Sequence, residues 1–110
     1  MQFVRIEGVT IAYDVITPDP ANPVLVLVNS LGTDARIWHF VVPKLAEDFT
    51  VVTYDKRGHG LSDLGNPPYR IEDHVADLAG LLDHLEFSDA IICGLSVGGL
   101  IAQGLYAQRP

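Results

Sequence analysis

Residues Val24-Leu-Val-Leu-Val28 are apolar at every position and β-branched at every second one. A strand with one wet face alternates apolar with polar, so a strand without alternation is covered on both faces, as in a parallel sheet between two layers. Two more such runs are Thr50 to Tyr54 and Ala90 to Cys93, and helix-like stretches separate the three. Trp38 to Ala46, interrupted by Pro43, reads as two short pieces. Ile71 to Leu85 reads as an amphipathic helix, apolar at 71, 75, 78, 82 and 85 with Glu72, Asp73, Asp77 and Asp83 outward. Leu100 to Gln108 reads as a third helix. Residues 1–15 read as a hairpin with Gly8 at the reversal, closed off by the proline-rich loop Thr17 to Pro23. The pattern predicts one α/β domain over 1–110, an antiparallel first strand pair and then a mostly parallel sheet with flanking helices.

Composition narrows the function. Lys and Arg number 7 against 14 Asp and Glu, a net charge of −7, which argues against nucleic acid and anionic membrane surfaces as partners. Cys93, the sole cysteine, forms no internal disulfide, and inside an apolar strand it reads as buried packing. The start MQFVRIEG lacks an apolar signal stretch, and the run 24–28 is far short of the roughly 20 residues that span a bilayer. These features suggest a cytoplasmic protein and leave small molecules and proteins as partners.

Gly94-Leu95-Ser96-Val97-Gly98 matches G-x-S-x-G, directly after an apolar strand and directly before a helix. Such a turn is so tight that the serine backbone is strained, and a Cβ on either glycine would collide with the turn or the neighbouring strand. The hydroxyl is lifted clear of the sheet, and the helix N–H groups face the place where an oxyanion would form. A plainer reading is a glycine-rich helix start that merely packs closely. Strand, turn and helix in register favour Ser96 as a nucleophile.

A second oxyanion donor is expected from Asn29-Ser30-Leu31-Gly32-Thr33, the loop after strand 24–28. Its distance to Trp38 makes Leu31 the residue whose backbone N–H joins that of Val97. Read alone, the segment is an ordinary turn with Thr33 or Asp34 as helix N-cap. Arg36 nearby is a candidate contact for a substrate carboxylate, and a solvated first-turn arginine is the plainer alternative. In Tyr54-Asp-Lys-Arg-Gly-His-Gly-Leu-Ser-Asp63, Asp55 and His59 suggest a catalytic or metal pair, but two glycines and a preceding strand favour a structural turn. His39, His74 and His84 read as surface or cap residues. No phosphate-cradling glycine motif is present, and no metal or cofactor is expected.

Taken together, NSLGTDARIW, YDKRGHGLSD and CGLSVGGLIAQGLYAQRP resemble the N-terminal part of an α/β-hydrolase across the whole chain. More narrowly they are similar to 3-oxoadipate enol-lactonases, whose oxyanion loop often carries Asn-Ser where relatives have His-Gly. Val97 stands where methionine is frequent, which leaves the backbone donor intact. The resemblance implies a serine hydrolase of an enol-lactone or carboxylic ester in the β-ketoadipate route of aromatic degradation, working through an acyl-enzyme and needing no cofactor. A general esterase or perhydrolase of the same fold is the alternative, whereas dehalogenases and epoxide hydrolases place an aspartate at the nucleophile position.

In that family the triad Asp and His follow the nucleophile helix. No acid and no histidine follows Ser96 in these 110 residues. The expectation is therefore an incomplete domain, the front half of a longer hydrolase without its lid and later strands. By itself it would be inactive, a non-catalytic fragment or interaction module. The strand ending at Cys93 would then be an open edge through which a second copy or a complementary chain can pair.

Overall fold

A computed structural model describes all 110 residues. Strands β1 (Gln2–Ile6) and β2 (Val9–Ile16) form the expected antiparallel hairpin. Its turn is Glu7-Gly8, both with positive φ, a twist that suits two-residue hairpins. Strands β3 (Val24–Val28), β4 (Thr50–Tyr54) and β5 (Ile91–Gly94) complete a five-stranded sheet in the order β1-β2-β4-β3-β5. The β2–β4 pair is antiparallel, and β3 is parallel to both β4 and β5. This is the α/β arrangement the sequence predicts.

The unbroken apolar run of β3 is explained by its neighbours. Val26 and Val28 enter one core with Ile11, Val52 and Tyr54, beneath helices α2 (Ile71–His84) and α3 (Val97–Gln108). Leu25 and Leu27 enter the other, with Val51 and Ala46, packed against Trp38, Val42 and Leu45. That second layer consists of a 3-10 turn, Ala35–Trp38, and one helical turn, α1 (Val42–Leu45). Pro43 therefore does not split a helix. It opens the second one, in the first turn, where the missing N–H costs nothing.

Three expectations are corrected. Asp77, expected to face solvent, is 1% exposed and bound by both arms of the Arg57 guanidinium, at 2.7 and 2.8 Å. His74, expected at the surface, lies buried one turn earlier on the same face of α2, edge-on to Tyr69. Burial and nearby cations push its pKa down to about 4. Both residues sit on a face of α2 that the loop after β4 covers, so the buried stripe is wider than the apolar one. Cys93, expected to be buried, is exposed, because β5 is the sheet edge and no element covers it on the Leu25–Leu27 face. No helix is long and apolar enough to cross a membrane.

Candidate active site

The parallel pairing of β5 with β3 runs one residue past the strand, where the Leu95 N–H donates to the Val28 carbonyl at 3.0 Å. The chain then reverses at Ser96, whose φ of 57° and ψ of −117° lie where non-glycine residues are rare. Helix α3 begins at the next residue, and the first turn closes with Gly98 N–H to Leu95 carbonyl at 2.9 Å and Gly99 N–H to Ser96 carbonyl at 2.8 Å. The reversal is possible only with glycine on both sides. A Cβ on Gly94 would run into the Gly98 carbonyl, and a Cβ on Gly98 into the Val28 carbonyl. Ser96 is consequently exposed at the C-terminal end of the sheet. The Val97 N–H, first in the helix, donates to no protein acceptor.

β3, parallel to β5, finishes at the same C-terminal end of the sheet, and the loop Asn29–Asp34 follows it. Asn29 is fully buried, and its Oδ1 accepts the Trp38 indole N–H at 2.9 Å. Thr33 Oγ1 donates to the Ser30 carbonyl at 2.8 Å. Asp34 caps the 3-10 turn by accepting the Arg36 N–H at 2.9 Å, one of the two caps the sequence offers. Between these anchors Leu31 is 73% exposed, and its N–H has no protein acceptor. The structure thus leaves free the two backbone donors the sequence singles out.

The segment after β4 fastens this loop from below. Asp55, buried, accepts the Ala35 N–H at 2.8 Å and the Leu61 N–H at 2.9 Å. His59 Nε2 accepts the Gly32 N–H at 3.0 Å, so its Nδ1 carries the proton and donates to the Arg57 carbonyl at 3.1 Å. Lys56 is 1% exposed, and its ammonium donates to the carbonyls of Asn29, at 3.2 Å, and Ser30, at 3.0 Å. Desolvation holds its pKa down at about 8. Asp55 and His59 are therefore spent on backbone groups, as the structural reading of this turn has it. Lys56 is the residue the sequence reading overlooks, for its partners are two main-chain carbonyls that no side-chain pattern announces.

Arg36 is paired with its neighbour Asp34. Its guanidinium is held by both carboxylate oxygens of Asp34, at 2.7 to 3.1 Å, with the side chain 91% exposed. None of the four histidines bonds to Ser96. His39 lies edge-on to Phe40 and His84 to Tyr13.

Comparison with known proteins agrees with this geometry. Residues 23–110 match the family model described as alpha/beta hydrolase fold. Among curated proteins the chain is similar to 3-oxoadipate enol-lactonase 2 of Acinetobacter baylyi, 41% identical over 81% of this chain and 33% of the relative. Enol-lactonase 1 of the same organism is 40% identical over 87% of this chain and 35% of its own length. The crystal structure of an enol-lactonase from Burkholderia xenovorans superimposes with a TM-score of 0.93 at 38% identity, over 98% of this chain and 43% of that one. The chain thus spans well under half the length of these proteins. With strand, strained serine turn and helix in the order the fold requires, and with a family match over most of its length, the chain belongs to the alpha/beta hydrolase fold family.

Proposed function

We propose that this chain is the nucleophile-bearing part of a serine hydrolase that opens an enol-lactone or cleaves a carboxylic ester through an acyl-enzyme. The observation that carries the reading is Ser96, exposed and held in a strained conformation between β5 and α3 by two glycines that tolerate no Cβ. The Ser96 hydroxyl attacks the carbonyl carbon, and the carbonyl oxygen takes up negative charge opposite the free N–H groups of Leu31 and Val97. The leaving oxygen departs with a proton, and water then releases the acid from Ser96. In this reading base and orienting acid come from sequence outside these 110 residues, since no side chain here hydrogen-bonds to Ser96 and His59, which bonds to the loop after β3, has both ring nitrogens on backbone groups.

Similarity to two enol-lactonases supports 3-oxoadipate enol-lactone, an intermediate of aromatic degradation, as the substrate. The Arg36 role as its carboxylate contact gains no support from a guanidinium already paired with Asp34. The test uses the hydrolase expressed from its whole coding sequence. A fluorophosphonate probe should label Ser96 and nothing in Ser96→Ala, and kcat/KM for the enol-lactone should exceed that for p-nitrophenyl acetate. Labelling that persists in Ser96→Ala removes the nucleophile assignment, and a clear preference for the neutral ester moves the protein to the general esterases.

A further inference from the structure

A buried ammonium is expensive. Taking it from water costs several kcal/mol unless partners compensate, and Lys56 has no carboxylate among its partners, only the Asn29 and Ser30 carbonyls. Asp55 beside it offsets part of that cost through space, but its oxygens accept the Ala35 and Leu61 amides and none bonds to the ammonium. A neutral donor would pin the loop at lower cost, so the charge itself calls for an explanation. The Ser30 carbonyl belongs to the same peptide unit as the Leu31 N–H. A cation bonded to that oxygen draws electron density toward it and makes the N–H at the other end a stronger donor, since hydrogen bonds in a chain polarise one another.

We propose that Lys56 is a positioning residue of the oxyanion hole, gripping the Ser30 carbonyl so that the Ser30–Leu31 peptide is both fixed and polarised toward an anion at the Leu31 N–H. Thr33 Oγ1, 2.8 Å from the same carbonyl oxygen, adds a neutral bond in the same sense. The assignment rests on the reading of Leu31 as an oxyanion donor.

The test measures transition-state affinity against ground-state binding in the hydrolase expressed from its whole coding sequence. The probe is phenylboronic acid, whose adduct with a serine hydroxyl is tetrahedral and anionic, and p-nitrophenyl acetate is the substrate. Lys56→Met, which keeps the apolar stem, should weaken boronate binding and lower kcat by a similar factor of about 10, part of the roughly 10²–10³ that losing a donor outright costs. KM should change less than about twofold. Lys56→Gln, a neutral donor, should resemble Lys56→Met. Restoration by Gln would show that pinning suffices and overturn the proposal, as would a Lys56→Met protein that melts like wild type and binds boronate equally well. If neither variant folds, Thr33→Val decides. It should weaken boronate binding by a smaller factor, and an unchanged affinity would show that donors to the Ser30 carbonyl are not felt at Leu31. Failure of the underlying reading looks different, for then the wild-type protein would bind no boronate or leave Ser96 unlabelled.

Discussion

A backbone N–H is removed by no substitution except proline, so a residue that serves through its amide has a distinctive mutational signature. In the proposed function Leu31 is such a residue, and its side chain is largely in solvent with its N–H unpaired. In the complete hydrolase Leu31→Ala should be nearly silent in kcat/KM. Leu31→Pro should cost about 2.7–4 kcal/mol of transition-state stabilisation where circular dichroism shows the fold intact. Equal losses from both would place the role in side-chain packing instead. Ser96 and its glycines were legible in the sequence because the turn excludes every other residue type at Gly94 and Gly98. Lys56 was not, since a lysine after a strand ordinarily snorkels to water and only the folded chain shows it reaching back to the Asn29 and Ser30 carbonyls.

Among the elements, β3 was readable to the residue because a strand covered on both faces has no alternation to misread, whereas α2 was readable only in part. Its apolar positions face β1 and α3, but His74 and Asp77 are buried as well, against the loop after β4. The partner of Asp77 is Arg57, 20 residues earlier, a separation at which no local pattern speaks. This bidentate pair ties α2 to the segment that carries Lys56 and His59. Arg57→Ala should destabilise the protein by about 3–5 kcal/mol, because it leaves a carboxylate buried without its cation. The double change Arg57→Leu with Asp77→Leu should cost less than Arg57→Ala alone, as removing both charges leaves nothing unpaired. Chemical denaturation of both variants checks this, and a double change that costs more than Arg57→Ala would show that the loss does not come from the unpaired carboxylate.

For the whole molecule the decisive feature is asymmetry between the two edges of the sheet. At one end β1 presents a hairpin strand carrying Arg5, which answers Asp63 across the turn region. At the other, β5 exposes a row of unpaired main-chain groups flanked by Ile91, Leu95 and Leu100, all about half exposed. Beside it lies a groove of about 490 Å³ lined by Leu82, Phe87, Ile92, Leu105 and Tyr106. Open edges next to apolar surface pair with whatever strand is offered. The 110 residues expressed alone should therefore self-associate through β5, and ester hydrolysis should stay at background because Ser96 has no base within reach. Sedimentation and a p-nitrophenyl acetate assay on the purified chain test both expectations. Ile91→Lys, which sets a charge on the edge strand, should shift the population toward monomer if β5 is the contact. A chain that sediments as a monomer without that change would show the edge to be protected by its own flanking loops. Turnover by that monomer would mean that one of His39, His59, His74 or His84 reaches Ser96 after a rearrangement, and would overturn the assignment of the base to sequence beyond this segment.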